Sequence, residues 1–288
     1  MPNGNAQCGL WNICGMRLRL PHPGWLIPIV LIVGVSATVG QFWWKYRQAQ
    51  VFQEDVAALG GELTLCYSAP DWLVEWARSK DQEQSLEWLK SEVLTLQVSG
   101  DAIDDAWLLG LPPCRRIESL RVFNSRVTGV GLTKLRSFPT LRSLNLDDVP
   151  INDADVSAFP ALPELRSLSL VGTQVTDAGL VSLKSRTNLK MLFLRNTQIT
   201  DAGLISLPNL DWLDIAQTHI TDAGLAALKP MSKLELLRIQ STAVTDAGLQ
   251  HLEELPALTE VQLKGTQVTV EGVKRFRLRR PSVKVTGP

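Results

Sequence analysis

Residues 165–188 read LRSLSLVGTQVTDAGLVSLKSRTN, and residues 234–257 read LELLRIQSTAVTDAGLQHLEELPA. Both stretches place apolar side chains at positions 1, 4 and 6, and again at positions 11, 16 and 19. The same frame opens eight units, which start at Val93, Ile117, Leu141, Leu165, Leu189, Leu210, Leu234 and Leu258. The units are 24 residues long, except for one of 21 residues between Leu189 and Leu210. Such a fixed period indicates stacked repeats, each of which buries its apolar side against its neighbours.

The spacing within a unit predicts a short strand followed by a helical turn. Positions 4 and 6 are two residues apart, as on the buried face of a strand, and positions 16 and 19 are three apart, as on one side of a helix. This is the pattern of leucine-rich repeats. The sequence therefore predicts an α/β fold, a right-handed leucine-rich-repeat solenoid of about eight 24-residue strand–helix units. Val283 and Val285 predict a closing strand at its end.

A pentapeptide links the repeats to a known family. Thr176-Asp177-Ala178-Gly179-Leu180 recurs at residues 200–204, 221–225 and 245–249, and the stretches GGELTLCY and PDWL precede the repeats. Over about residues 50–288 the chain resembles the membrane-anchored or exported bacterial leucine-rich-repeat proteins with TDAGL repeats, which are abundant in planctomycete-type bacteria. The resemblance implies the fold and a binding role. The repeats are also similar to those of F-box adaptors, but position 9 is Thr instead of Cys, and no F-box precedes them.

The polar positions of the repeat predict structural roles. Thr at position 12 and Asp at position 13 are expected to cap the helical turns, because their oxygens accept hydrogen bonds from free N–H groups. A calcium-binding row of these aspartates is the alternative, although calcium needs several oxygens at one point. The aspartates are Asp153, Asp177, Asp201, Asp222 and Asp246. A second row is predicted to form a hydrogen-bonded ladder through the turns: Thr173, Thr197, Thr218, Thr242 and Thr266.

Residues 25–44, WLIPIVLIVGVSATVGQFWW, contain no formal charge. A helix of this length spans about 30 Å, the thickness of a hydrocarbon core, and tryptophans stand at both of its ends. The segment predicts one N-terminal transmembrane helix or signal anchor, which makes the protein a single-pass membrane protein. A signal peptide cleaved after Ala37 and a buried core helix are the alternatives.

The positive charges on the two sides of this segment are nearly balanced. Arg17 and Arg19 precede it, and Lys45 and Arg47 follow it, so the α-amino group tips the count toward a cytoplasmic N-terminus. The solenoid is therefore expected outside the cytoplasm. Met16 opens a charged-then-apolar stretch like that of a targeting segment, so the protein starts at either Met1 or Met16.

Four segments follow from these patterns: a tail (1–24), the apolar segment (25–44), an N-terminal αβα capping module (45–92) and the solenoid with its C-terminal cap (93–288). The cap is expected to contain a helix at 48–59, a strand at Glu62–Tyr67 and a second helix after Pro70. Three tryptophans in the second helix suggest a cap that covers the end of the core, with a ligand cage as the alternative. These are Trp72, Trp76 and Trp88.

Composition excludes several classes of function. Lys plus Arg and Asp plus Glu both number 29, so the chain lacks the basic surplus of a nucleic-acid-binding protein. Four cysteines and three histidines are too few and too scattered for a disulfide framework, a zinc site or acid–base chemistry. The sequence also lacks the HExxH, GxSxG, P-loop and GxGxxG motifs. We therefore predict a non-enzymatic protein with no cofactor, no metal site and no small-molecule substrate.

The candidate binding site lies on the concave sheet face, where strand positions 3, 5 and 7 point to solvent. Small polar residues dominate the first strands, and an apolar group with charged neighbours follows. The predicted site consists of Met191, Phe193, Arg195, Trp212, Asp214, Leu236 and Arg238. Aromatic residues ringed by arginine are typical of interface hot spots, which predicts a protein partner, or a glycan. Mutual packing of Phe193 and Trp212 without a ligand is the alternative at the residue level.

Two further alternatives remain open. A structural envelope scaffold that acts by self-association would use the same fold without a foreign partner. Lys274–Arg280, KRFRLRR, places five basic residues in seven and is either a solvated helix on the terminal cap or a contact for anionic lipid or another polyanion.

Overall fold

The computed structural model describes residues 90–111 and 117–287, together with three upstream strands. These strands are Asn12–Ile13 (β1), Met16–Arg17 (β2) and Glu62–Tyr67 (β3). The apolar segment 25–44 and the helical parts of the predicted capping module lie outside the described residues. Within the described residues, no helix combines the length and apolar character that crossing a membrane requires.

A ten-stranded sheet runs from β3 to the last strand in sequence order, and β1 and β2 form a separate antiparallel pair. Strand β3 pairs antiparallel with Lys90–Ser99 (β4), which begins three residues before the predicted start of the solenoid, and every later pairing is parallel. The later strands are Ser119–Phe123 (β5), Ser143–Asn145 (β6), Ser167–Ser169 (β7), Met191–Phe193 (β8), Trp212–Asp214 (β9), Leu236–Arg238 (β10), Glu260–Gln262 (β11) and Lys284–Thr286 (β12). The predicted strand Glu62–Tyr67 and the predicted closing strand around Val285 are both confirmed.

Each strand from β4 to β11 is followed by a short helix on the other side of the solenoid. The helices are Asp105–Gly110 (α1), Gly129–Leu132 (α2), Asp153–Ser157 (α3), Asp177–Val181 (α4), Asp201–Leu204 (α5), Asp222–Ala227 (α6), Asp246–Leu252 (α7) and Val270–Arg279 (α8). Turns of 3₁₀ helix at Thr133–Ser137 and Ser182–Ser185 extend α2 and α4. The 21-residue unit is shortened after the start of α5, so its strand and its TDAGL segment keep their register.

The core lies between the sheet and the helices and follows the predicted positions. In the unit that starts at Leu165, Leu168, Leu180 and Leu183 are fully buried, and the equivalent residues of the other units repeat this layer. Neighbouring strands lie about 4.8 Å apart, whereas packed helices need about 8–10 Å. The stack therefore bends with the sheet on its inner, concave side.

The threonines at position 9 do not form the predicted ladder between turns. Each hydroxyl donates to the carbonyl three residues earlier in its own unit, as Thr197 does to Leu194 at 2.6 Å. The remaining bonds of this kind join Thr173 to Leu170, Thr218 to Ile215, Thr242 to Ile239, and Thr266 to Leu263. The ladder between units is instead made by the backbone, where the N–H at position 10 donates to the carbonyl at position 11 of the preceding unit, as Gln198 does to Val175.

The threonines at position 12 cap their helices as predicted, but the aspartates at position 13 have another role. Thr176 Oγ1 accepts from the N–H of Ala178 at 3.3 Å. The carboxylate of Asp153, one unit earlier, accepts from the N–H of Thr176 at 2.7 Å and from its hydroxyl at 2.6 Å. Each carboxylate thus bridges two units instead of capping its own helix.

This bridge recurs along the solenoid and explains the repeated pentapeptide. The other pairs are Asp105–Thr128, Asp177–Thr200, Asp201–Thr221, Asp222–Thr245 and Asp246–Thr269. Both oxygens of each carboxylate already accept hydrogen bonds, which supports a bridging role over a row of calcium ligands. Among the described residues, no group of three or more His, Cys, Asp or Glu side chains is placed to hold a metal ion.

Glycine at position 15 makes room for the bridge. A Cβ atom on Gly179 would lie 2.6 Å from Oδ1 of Asp153, and 3.1 Å from Cγ1 of Val175. Each of these residues of the motif therefore has a structural role in stacking. Thr caps its helix, Asp bridges to the next unit, Gly leaves space for the Asp of the preceding unit, and Leu packs in the core.

Candidate partner-binding site

The strands bring the predicted site residues together on the solvent side of the sheet, which we call the sheet face. Met191, Trp212 and Leu236 are aligned on β8, β9 and β10, and Phe193, Asp214 and Arg238 form the next row. Rows on adjacent strands are separated by about 4.8 Å. Four apolar side chains therefore form one continuous patch, named here the aromatic cluster: Met191, Phe193, Trp212 and Leu236.

The aromatic cluster is built on a contact between two rings. The ring centroids of Phe193 and Trp212 lie 5.4 Å apart with an interplanar angle of 65°, an edge-to-face arrangement. The guanidinium carbon of Arg238 lies 5.1 Å from the centroid of Trp212, in the range of a cation–π contact. The two rings do pack on each other, as the alternative held, yet each of the four apolar side chains stays half-buried.

Asp214 lies beneath the site instead of on its rim. Its side chain is 8% exposed, and its Oδ1 accepts from the N–H of Ala216 at 3.1 Å. Its Oδ2 faces Nη1 of Arg238 at 3.5 Å. The residue therefore orients Arg238 and is poorly placed to touch a partner directly.

Arg195, by contrast, is exposed at the edge of the cluster. Its Nε donates to Oε1 of Gln217 at 2.8 Å, which directs the guanidinium along the sheet face. Gln217 is at position 8 of its unit, where a residue with positive φ ends the strand. The sequence patterns did not select Gln217, because its importance depends on a neighbour 22 residues earlier.

A hollow of about 450 Å³ adjoins the aromatic cluster on its C-terminal side. We call it the basin, and its polar lining includes Arg195, Arg238, Gln240, Gln262 and Lys264. Gln240 Nε2 donates to Oε1 of Gln262 at 2.6 Å, and Gln262 Nε2 donates to Oε1 of Glu260 at 2.8 Å. These two bonds fix the amides along the floor. Sequence reasoning placed their residues on the sheet face but did not include them, or Lys264, in the predicted site.

Charge is distributed unevenly along the sheet face. In the N-terminal half, Asp147 accepts hydrogen bonds from Asn145 and Ser169, and Arg121 donates to Gln97, so the polar groups partner one another. Near the basin, Lys284 contacts Glu260 at 3.1 Å, and the hydrogen bonds from Gln262 and Lys284 hold the pKa of Glu260 below its usual range. At the basin, Arg195 and Lys264 have no carboxylate within 4 Å among the described residues, whereas Arg238 faces Asp214.

A second hollow, of about 270 Å³, lies between the helices and the following strands near Phe159 and Asn188. Arg186 crosses it and donates to the carbonyls of Phe159 at 3.2 Å and Pro160 at 3.4 Å. Burial lowers the pKa of this guanidinium below its usual range. The arginine therefore links two units through hydrogen bonds, which gives this hollow a structural role.

The basic run Lys274–Arg280 is also engaged within the molecule. Arg275 contacts Asp246 at 3.0 Å and Arg279 contacts Glu253 at 2.9 Å, while Arg280 donates to the carbonyl of Glu253 at 2.7 Å. Lys274 pairs with Glu271, and Arg277 donates to Val285. These contacts favour the interpretation of α8 as a terminal cap over a contact for lipid.

Comparisons with known proteins find similarity to leucine-rich repeats. A sequence profile described as "Leucine Rich repeat" matches residues 162–184. The structure is similar to that of internalin C2 from Listeria monocytogenes, with 27% sequence identity, a TM-score of 0.53, and coverage of 68% of this chain and 81% of the other. A leucine-rich-repeat protein of Leptospira interrogans is 20% identical, with a TM-score of 0.46 and coverage of 59% of this chain and 43% of the other. A search of curated proteins gave no match.

The matched profile falls on the unit that carries the first complete TDAGL segment. The internalin match extends over most of that chain's length. With the 24-residue period and the parallel sheet, these similarities identify the described part of this chain as a leucine-rich-repeat solenoid.

Proposed function

We propose that this chain is a non-enzymatic binding protein that holds a protein partner against the aromatic cluster on its concave sheet face. Leucine-rich-repeat proteins are generally interaction scaffolds, which supports this class of function. The observation that carries the specific proposal is the cluster itself. Four apolar side chains are half-buried on three adjacent strands, beside arginines, while small polar residues dominate the N-terminal half of the sheet face.

The general energetics of protein interfaces favour the aromatic cluster as the position where a partner binds. A few aromatic and arginine residues usually supply most of the binding energy, and truncating one of them costs about 2 kcal/mol or more. Trp212 is already held by Phe193 and Arg238, so little side-chain entropy is lost when a partner covers it. An exposed apolar patch that is also rigid is a suitable anchor for a partner.

The arrangement of Trp212 favours a protein over a glycan. Sugar rings stack on an open aromatic face, but Arg238 covers one face of Trp212 and Phe193 contacts the ring as well. Apolar side chains of a protein can instead fill the irregular surface between Met191, Phe193 and Leu236.

We further propose that residues 25–44 tether the solenoid to a membrane and that the solenoid lies outside the cytoplasm. The length of the uncharged segment and the resemblance to membrane-anchored bacterial proteins with TDAGL repeats support this. Protease treatment of intact and permeabilised cells, followed by intact mass measurement, tests it. Digestion only after the outer barrier is opened is expected. Protection until lysis would contradict the topology, and a mass that begins at Thr38 would replace the anchor by a cleaved signal peptide.

Site-specific photo-crosslinking tests the binding surface. A photoreactive phenylalanine replaces Phe193 in the full chain, in cells that produce the protein. A matched chain carries the same residue at Ile205, which is 73% exposed on the helix side. We expect a crosslinked adduct from position 193, which is lost when Trp212→Ala is added, and none from position 205.

The mass of the adduct separates the partner-binding function from self-association. An adduct of twice the chain mass would indicate a scaffold that assembles with itself. Equal adducts from positions 193 and 205, or an adduct that survives Trp212→Ala unchanged, would contradict binding through the aromatic cluster.

A further inference from the structure

We infer that the basin beside the aromatic cluster binds an acidic segment of the partner protein, with Arg195 and Lys264 each receiving one carboxylate. This inference rests on the proposed function, since it names the chemistry of the partner of the same surface. It is carried by the charge and the shape of the basin.

The charge of the basin is not balanced by the chain. Its lining contains three cations, Arg195, Arg238 and Lys264, and one carboxylate, that of Asp214. Asp214 is nearly buried and faces Arg238. Among the described residues, no carboxylate lies within 4 Å of a charged nitrogen of Arg195 or Lys264. A ligand that neutralises the basin must therefore bring negative charge.

The spacing of the two unpaired cations fits an extended acidic segment. Arg195 follows β8 and Lys264 follows β11, both at position 7 of their units, so three strand spacings separate them. Three spacings correspond to about 14 Å, which is about four residues of an extended chain. Carboxylates four residues apart on such a segment reach both cations, and the residues between them lie over Gln240 and Gln262.

The amides of the floor suit a peptide. Gln240 and Gln262 are half-buried, and the Oε1 atom of Gln240 is buried without a hydrogen-bond partner. This oxygen is enclosed, so a ligand contacts the exposed parts of the two amides, which donate and accept hydrogen bonds as a peptide backbone does. A peptide therefore matches the floor, and the sulfated polysaccharide in the test below distinguishes it from another polyanion.

Hexaglutamate is the probe for this inference, with hexaglutamine as its uncharged match. The full chain is labelled with 5-fluorotryptophan, and the ¹⁹F resonance of residue 212 is assigned by its loss in Trp212→Phe. We expect hexaglutamate, but not hexaglutamine, to shift this resonance in a saturable way that weakens as salt is raised. Arg195→Gln and Lys264→Gln are each expected to weaken binding about 1.4-fold to fivefold, since exposed ion pairs contribute about 0.2–1 kcal/mol.

Arg121→Gln is the matched control, because Arg121 lies on the same sheet face, three strands before Arg195, and is not part of the lining of the basin. It is expected to leave hexaglutamate binding unchanged. The inference is overturned if hexaglutamate leaves the resonance in place, if Arg121→Gln weakens binding as much as Arg195→Gln, or if a sulfated polysaccharide binds where hexaglutamate does not. The crosslink at position 193 is independent of this titration, so a failure of the basin and a failure of the aromatic cluster give different results.

Discussion

The junction between two units depends on one carboxylate and the space that glycine leaves for it. In most junctions Asp at position 13 faces Gly at position 15 of the next unit, as Asp153 faces Gly179. One junction has the reverse arrangement. Gly129 takes position 13, and Asp155 takes position 15 of the next unit and fills the space next to Gly129. Asp155 accepts from the N–H of Asn152 at 2.9 Å and completes a capping box.

This exchange predicts strong coupling between Gly129 and Asp155. Gly129→Asp alone places two carboxylates in one space and is expected to lower the free energy of unfolding by about 1–3 kcal/mol. Asp155→Gly alone removes the carboxylate half of the capping box, while Asn152 remains the N-cap, and is expected to cost about 0.5–2 kcal/mol. The double variant recreates the common junction, so its loss should be smaller than either single loss. Urea unfolding of the four chains measures the coupling.

The coupling would be contradicted if the two single losses simply added in the double variant. Two glycine-to-alanine substitutions test separately whether an added Cβ atom is crowded. Gly179→Ala is expected to destabilise the fold, because its Cβ would meet Asp153, whereas no atom of the described residues lies within 4 Å of a Cβ at Gly110. Gly110→Ala should therefore be tolerated.

The turn that ends each strand is a second recurring element. Position 8 has positive φ in every unit, and the residues there are Gly100, Asn124, Asp148, Gly172, Asn196, Gln217, Ser241 and Gly265. Gly, Asn and Asp adopt this left-handed region readily, whereas other residues are strained there by about 1–2 kcal/mol. Gln217 compensates in part, since it accepts from Arg195.

Ser241 has no such compensation among the described residues and is the best site for relief of strain. Ser241→Gly is expected to raise the free energy of unfolding by about 0.5 kcal/mol, since the relief of the left-handed strain exceeds the entropy that glycine adds to the unfolded chain. Ser99→Gly is the matched change, within β4 and without positive φ. It should destabilise by about 0.5–1 kcal/mol. A loss of stability in Ser241→Gly, measured by thermal unfolding, would contradict the strain.

An element could be predicted from the sequence where the interactions that form it lie within one unit. The strands, the position of each helix start and the buried leucines follow from spacing, and Thr176 caps its helix because both groups are two residues apart. The roles predicted for Asp153 and Thr173 were wrong, because the hydrogen-bond partner of each side chain is set by which donors and acceptors the folded turns bring close to it. At the site, the pairing of strands brought Phe193 and Trp212 together as expected, but the burial of Asp214 and the floor of Gln240 and Gln262 depend on side-chain contacts between strands.

The described solenoid is a one-dimensional stack, in which each unit is stabilised mainly by its neighbours. Because the last unit packs against one neighbour among the described residues, additional hydrogen bonds and an ion pair stabilise it. Asp246 accepts from the N–H of Thr269 at 2.7 Å and from Arg275 at 3.0 Å, and Arg280 donates to three carbonyls of the preceding turn. These contacts attach α8 to the unit before it, where no further repeat follows within the described residues.

Asp246 gives this end a predictable dependence on pH. The hydrogen bond from the Thr269 N–H, helped by the Thr269 hydroxyl and Arg275, holds the pKa of Asp246 below its usual range. A depressed carboxylate pKa contributes stability above the unfolded pKa of about 3.9, and this stability is lost as the pH falls through the folded pKa. Asp246→Asn should therefore lower the urea midpoint at pH 7, and the difference from the parent chain should shrink below about pH 4.

Hydrogen exchange locates the loss within the stack. In a one-dimensional array, weakening the last junction opens the last unit first. Peptides from α8 and β12 of Asp246→Asn should exchange faster at pH 7, whereas those from β5 to α4 should keep the parent rate. Asp101→Asn is the control, because the side chain of Asp101 is 84% exposed and 3.8 Å from Arg126. If exchange accelerates equally in every unit, the solenoid unfolds as one cooperative block, and the terminal bonds stabilise the whole molecule instead of its end.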